Sequence, residues 1–158
     1  MSTVTRDQVL DFIYQENQLL DEQRYEQWLA LFDAQGMYWI PAQADQTDPL
    51  QHISLCYESV DMLAMRVARL RHPQAHGLAQ DIRTSRLTGN VSFRTRDDAG
   101  LHVRGHLIVH EWQGQRLRHF AGQVDYRLDV QGTTWSIHEK KISLVNVEAA
   151  FESIQILL

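Results

Sequence analysis

A chain of 158 residues, 44% hydrophobic and 22% charged, has the composition of a globular protein large enough to bury a core. Its formal net charge of −5 argues against nucleic-acid binding, because phosphate neutralisation needs clustered Lys and Arg. No apolar run approaches the roughly 20 residues of a membrane span, the N-terminus lacks a signal-peptide pattern, and Cys56 as sole cysteine excludes an intrachain disulfide. A reducing, cytoplasmic setting is therefore expected. The length is that of one domain spanning 1–158, and no repeat, low-complexity run or interdomain linker divides it.

In chain order, Thr5-Arg6-Asp7-Gln8 reads as a capping box opening a helix. Val9, Leu10, Ile13, Asn17 and Leu20 come next at helical spacing, with Asn17 the polar member of that face. Asp21 or Glu22 opens a second helix, whose stripe is Tyr25, Trp28, Leu29 and Phe32, and Gly36 stops it. Residues 37–41 read as a short strand and 42–53, polar and holding Pro49, as an ordered loop. A third helix is expected over roughly 55–70, with Val60, Leu63, Ala64, Val67 and Leu70 buried and Glu58, Asp61, Arg66 and Arg69 on its other face. Residues 71–80, with Pro73 and Gly77, link that helix to the strands of the C-terminal half.

Residues 82–147 read as four long strands joined by turns at Asp97-Asp98-Ala99-Gly100, Gln113-Gly114 and Gln131-Gly132. Over 101–112, Leu101, Val103, Leu107 and Val109 alternate with His102, Arg104, His106 and His110, giving one core face and one polar face. A two-residue loop at Gln113-Gly114 would set Val103 opposite Val124, Leu107 opposite Phe120, His102 opposite Asp125 and Arg104 opposite Gln123. The hairpin at Gln131-Gly132 would set Leu128 opposite Trp135 and Tyr126 opposite Ile137. Unbroken, that register would turn Glu139 and Lys141 inward. A one-residue bulge between His138 and Lys141 is therefore expected, with Ile142 by Gly122 and Leu144 by Phe120. The first hairpin requires an odd-length loop to bring Phe93 beside Val103. Gly89, Gly105 and Gly122 let these strands bend into a half-open cone. Helices followed by a curved antiparallel sheet define the class as α+β, about three N-terminal helices filling the concave side. The tail carries Ile154, Ile156, Leu157 and Leu158, too apolar to stay in water, and is expected to dock on its own domain or a neighbouring subunit.

Candidate chemistry is sparse. His102, His106 and His110 sit four residues apart on a strand, roughly 13 Å per step, and cannot share an ion. His72-Pro73-Gln74-Ala75-His76 has helical ligand spacing broken by proline. No transition metal is expected on this chain. Cys56 reads as a small buried hydrophobe. Asp125 opposite His102 could make a general base or be an ordinary cross-strand pair. Arg104, Arg116, Arg118, Asp125, Arg127, Glu139 and Lys141 form a charged outer face that is either solvated or, with its histidines and Trp112, an interface.

Residues 19–32 (Leu19-Leu20-Asp21-Glu22-Gln23-Arg24-Tyr25-Glu26-Gln27-Trp28-Leu29-Ala30-Leu31-Phe32), followed by Tyr38-Trp39-Ile40-Pro41, resemble the small, or β, subunits of Rieske non-haem iron aromatic-ring-hydroxylating dioxygenases. Gln46-Thr47-Asp48-Pro49 with Tyr57-Glu58 looks most like the benzoate and toluate branch. Arg83-Thr84, Asn90-Val91 and Lys140-Lys141-Ile142-Ser143-Leu144-Val145-Asn146 are similar to the family's later motifs, although Asp81-Ile82 stands where the family commonly has Pro-Ser. The likeness covers nearly the whole chain. It implies a nuclear-transport-factor-2-like cone that holds no cofactor and makes a trimeric base within a hexamer of three large and three small subunits. The large (α) subunits would carry the Rieske 2Fe-2S cluster, the mononuclear iron and the active site. Independently, a Rieske cluster needs two Cys and two His, and this chain has one Cys.

The leading expectation is thus an oligomerisation subunit of an oxidoreductase, an aromatic-ring dioxygenase acting on a benzoate-like compound. Candidate interface residues are His102, Arg104, His106, Trp112, Arg116, Arg118, Asp125, Arg127, Ile156, Leu157 and Leu158; none is assigned to catalysis, cofactor or metal. The rivals are a free-standing cone-fold dehydratase or isomerase with an Asp/His pocket, and a small-molecule binding module. The cone's mouth discriminates: a catalyst needs an open pocket, whereas a scaffold fills it with Trp28, Phe32, Tyr38 and Met62.

Overall fold

The capping box forms as the sequence dictates. In the computed structural model, which describes residues 3–71, 82–149 and 154–158, Thr5 Oγ1 accepts from the Gln8 amide at 3.3 Å and Gln8 Oε1 from the Thr5 amide at 2.9 Å. Helix α1 (Arg6–Asp21) buries Val9, Phe12, Ile13, Glu16, Asn17, Leu19 and Leu20. Gln23, at φ 56°, then turns the chain into α2 (Tyr25–Leu29), little more than one turn long. The helical stripe does not carry the helix to Phe32. Phe32 instead opens strand β1 (Phe32–Pro41), which pairs with Ile137 while the Ile137 amide donates to the Leu31 carbonyl at 2.7 Å. Trp28 and Phe32 are buried in either conformation, so apolar spacing could not separate them; strand pairing does.

The loop at 42–53 is irregular as expected, but strand β2 (Ser54–Ser59) comes after it and helix α3 begins only at Val60 (Val60–Arg71). Tyr57 and Cys56 pair with Trp39 and Ile40 of β1, and that ladder overrides the helix expected from residue 55. The linker expected at 71–80 and the His72–His76 pair lie, apart from Arg71, outside the described residues.

The four long strands are β3 (Arg83–Asp97), β4 (Gly100–Gln113), β5 (Arg116–Gln131) and β6 (Thr134–Leu144). The sheet order is β2-β1-β6-β5-β4-β3. Its pairs are antiparallel except β1 with β6, which run parallel, so the sheet is not wholly antiparallel. Helix α1 packs against β3 and α3 against β1.

Both later hairpins differ from the expected register by two residues. Gln113 pairs with Arg116 and Gln131 with Thr134, so the loops are Gly114-Gln115 and Gly132-Thr133. Their glycines sit at φ 63° and 64° in the first loop position, as a type II′ turn requires. Val103 therefore faces Tyr126, Leu107 faces Gly122, Arg104 faces Asp125 and His102 faces Arg127. A shift of two leaves every side chain on its own face, which is why the inward and outward assignments along β4 survive.

The bulge in β6 forms one step before its expected place. Leu128 pairs with Ile137 but Arg127 with Glu139, leaving His138 as the extra residue; Val124 then faces Ile142 and Gly122 faces Leu144. Phe93 does lie beside Val103, through a register slip within β3 and not an odd loop, since Asp97 pairs with Gly100.

Gly122 is where the strands crowd most: a Cβ there would stand 2.4 Å from the Ser143 carbonyl oxygen. Gly122→Ala is expected to cost about 1–3 kcal/mol, the range for overpacking. A urea midpoint unchanged from the native chain would refute this role.

Candidate functional site

Two regions gather the unusual side chains: the concave interior of the cone and the convex face of the sheet. The interior is polar at its centre and closed. Glu16 of α1 and Lys140 of β6 are both fully buried and 2.5 Å apart. Glu16 Oε1 also accepts from Trp28 Nε1 at 3.1 Å, and Glu16 Oε2 from the Tyr126 hydroxyl at 2.6 Å. Lys140 Nζ donates a second bond, 2.7 Å, to the Leu158 carbonyl oxygen, and lies 5.8 Å from the Tyr126 ring centroid. The Leu158 amide donates to the Tyr38 hydroxyl at 2.8 Å. Beside this, Arg86 Nη1 meets Asp21 at 2.5 Å and Thr84 at 2.7 Å, while its Nη2 donates to the Leu157 carbonyl.

The titration behaviour comes from enclosure. Burial pulls the Lys140 ammonium below the ordinary lysine range, and the Glu16 carboxylate only partly opposes this. Burial pushes the Tyr38 and Tyr126 phenols up, the latter further raised by Glu16. The unfolded chain releases these phenolic protons near pH 10 while the folded chain retains them. Their contribution to stability is thus full below about pH 10 and lost as pH rises above it. In an alkaline absorbance titration, both phenols should stay silent until the chain unfolds. Ionisation of all tyrosines near pH 10 with native circular dichroism retained would contradict this.

Trp28, Phe32 and Tyr38 fill the cone as a scaffold would, each under 8% exposed, with Trp28 edge-on to both rings. Met62, the fourth filler expected, stands instead on the outside of α3, half exposed. Ile156, Leu157 and Leu158 are also buried in this core, so the tail docks on its own chain and these three leave the set of candidate interface residues.

On β4 the outer face carries His102, Arg104, His106, Ile108, His110 and Trp112, alternating with buried neighbours. Asp125 is not paired with His102. It accepts from Arg104 Nε at 2.6 Å and Gln123 Nε2 at 2.9 Å, whereas His102 Nε2 lies 3.3 Å from Asp97. The two-residue register difference moved Arg104 opposite the carboxylate, so the expected general-base pair does not form. Arg127, opposite His102 and Glu139, is on the outer face as expected. Arg116 and Arg118 are not. They pair with Gln113 and Glu111 on the inner side, where Arg118 lies 3.5 Å from the fully buried Glu111 and over the Phe120 ring.

An apolar band crosses the outer face: Leu87 beside Ile108, Ile108 beside Ala121, and Trp112 beside Leu117. Leu87 is 72% exposed, and Ile108, Trp112 and Leu117 are each about two-fifths to one-half exposed. Between them the rings of His110 and His119 meet edge-to-face at 4.7 Å.

Elsewhere, His138 Nδ1 stands 2.8 Å from Asp33 on the rim of a half-open cavity of about 510 Å³ that Arg96, Asp97, Asp98, Arg127 and Asp129 also line. The pair ties the β6 bulge to β1. Among the described residues no three His, Cys, Asp or Glu side chains converge as a metal site. Cys56 is half-buried between Glu58 and Arg66, and burial with the Glu58 charge pushes its thiol up to about 12, so it is no ready nucleophile or ligand.

Sequence reasoning missed Glu16 and Lys140, though both left a signal. Glu16 falls on the same helical stripe as Val9, Ile13 and Leu20, and Lys140 sits two residues before Ile142 on the inward register.

A curved sheet wrapped on N-terminal helices, with its interior packed shut, defines a cone of the nuclear-transport-factor-2 type. The sequence pattern of the ring-hydroxylating beta subunit matches residues 15–148, and the chain belongs to that family. It is 32% identical over 143 residues to the 2-halobenzoate 1,2-dioxygenase small subunit of Burkholderia cepacia, covering 87% of each chain. To the toluate 1,2-dioxygenase subunit beta of Pseudomonas putida it is 30% identical over 149 residues, covering 91% of this chain and 92% of the other. The crystal structure of the benzoate 1,2-dioxygenase beta subunit of Burkholderia mallei superposes with a TM-score of 0.81 at 25% identity, covering 99% and 100% of the two chains.

Proposed function

We propose that this chain, one domain over its length, is the assembly subunit of a cytoplasmic aromatic-ring dioxygenase acting on a benzoate-like compound. The single observation that carries the reading is the closed cone: the place where a cone-fold catalyst would need an open pocket is filled by Trp28, Phe32, Tyr38 and the chain's own tail. A Rieske cluster does not fit here, since it needs two thiolates and Cys56 is the only cysteine. The cluster and a mononuclear iron therefore belong to a large partner subunit.

A trimer of this chain under three large subunits accounts for the outer face. Closed cyclic assembly covers a repeated patch once per copy, and Leu87, Ile108, Trp112 and Leu117 form such a patch. His102, Arg104, His106, Asp125 and Arg127 supply its polar margin, with Trp112 as anchor.

Expressed with a Rieske-type large subunit from the same source and supplied with a reductase, the chain should co-elute with it and support dihydroxylation of benzoate, while alone it should turn over nothing. Trp112→Ala should weaken co-elution by about thirtyfold, the loss of roughly 2 kcal/mol typical of an interface anchor. Its circular dichroism should stay native, because the side chain is 39% exposed. A stable monomer that transforms a small molecule without partner or metal would overturn the assembly reading.

A further inference from the structure

We propose that the interior of the cone is a binding site for a small carboxylate with an apolar body, and that residues 154–158 occupy it as an intramolecular stand-in. The inference rests on what the tail touches and does not depend on the partner subunit.

Two cationic side chains converge on the main-chain oxygens of two successive residues. Arg86 Nη2 donates to Leu157 and Lys140 Nζ to Leu158. Both side chains are at least nine-tenths buried, so both are built into the fold and not recruited from the surface. The match is incomplete in one informative respect. Nε of Arg86 is buried without a hydrogen-bond partner, although Nη1 is satisfied by Asp21 and Thr84. Nε and Nη2 form the side of the guanidinium that grips a carboxylate through two parallel bonds. Here the Leu157 carbonyl oxygen accepts from only one of them, Nη2. An orphaned buried donor costs stability, and a carboxylate at the Leu157 carbonyl position would remove that cost.

The rest of the cavity fits an apolar body. The Leu157 and Leu158 side chains are 2% and 0% exposed within a cluster that includes Trp28, Tyr38 and Tyr126. The Tyr38 hydroxyl, which now accepts from the Leu158 amide, can donate to an oxygen once that amide leaves. Glu16 keeps Lys140 compensated in either state. A ligand must therefore displace the tail, and the tail holds the site shut in the free chain.

The test uses the full-length chain with Leu157→Gly and Leu158→Gly, which loosens the tail while keeping the residues beneath it. Isocaproate, a leucine-like body bearing one carboxylate, and its neutral amide are the probes, titrated by calorimetry. The loosened chain should bind isocaproate at least about tenfold more tightly than the amide, a difference of about 1.4 kcal/mol. Adding Arg86→Lys, which keeps the charge but removes the fork, should erase most of that preference. Equal binding of acid and amide, or binding of neither by a chain with native circular dichroism, overturns the proposal. Should the double variant fail to fold, Leu157→Ala alone is titrated with the same two probes. In parallel, exchange of the Leu158 amide is monitored in the unaltered chain. Isocaproate should accelerate that exchange and the amide should not; equal effects of the two, or no effect in either experiment, overturn the proposal.

Discussion

Replacing Lys140 with Met should destabilise the chain by about 3–5 kcal/mol, the cost of leaving one member of a buried ion pair alone. Glu16 is fully buried, and its three side-chain partners are Lys140, Trp28 and Tyr126. Without the ammonium its carboxylate keeps two neutral donors and loses its charged hydrogen-bond partner. The Leu158 carbonyl also loses its donor. Chemical denaturation should show the midpoint falling with little change in slope. Lys140→Met with Glu16→Gln should recover part of the loss, because the stranded charge is gone. A single variant within about 1 kcal/mol of the native chain would mean that the pair is not a structural element.

Trp28→Ala should cost about as much, roughly 3–5 kcal/mol, for a different reason. Trp28 is wholly buried, its ring 4.9 Å from Phe32 and 6.0 Å from Tyr38, and truncation leaves a void the short helix α2 cannot close. It also removes the indole donor from Glu16. Trp28→Phe separates these effects, retaining most of the apolar area while losing the hydrogen bond, and should cost about 1–2 kcal/mol. Because Trp28 and Lys140 share Glu16, the two losses should not add; a double-mutant cycle measures their coupling. Additivity to within about 0.3 kcal/mol would show that the acid does not join them.

The interior network and the outer face place opposite demands on the same strands. Along β5, Val124, Tyr126 and Leu128 build the core while Gln123, Asp125 and Arg127 build the polar face. Period-two alternation lets both be specified at once, and it is robust to the two-residue register difference found in both hairpins. A slip of one would have exchanged the faces. Among the pairings of β5 such a slip occurs at the His138 bulge, and it turns Lys140 inward while presenting Glu139 and Lys141 outward.

By itself, the sequence determined whatever depends on local chemistry and periodicity. The capping box at Thr5, the four long strands, the two faces of β4, the need for a bulge near His138 and the absence of a second cysteine for a Rieske site were all legible. Family membership was legible too, because motifs spread across the chain keep their order. Only the tertiary structure decided the rest. Strand β2 and the early start of β1 arise from pairing with distant partners, β6 among them, which local propensity does not encode. Arg116 and Arg118 share the inward parity of Phe120 and Val124 along β5, and the register sets Arg118 against the buried Glu111. That the tail closes its own cone, against Arg86, Lys140 and Tyr38, depends on residues up to 120 positions apart meeting in one cavity. Apolarity shows that such a segment must be covered; only packing shows by what.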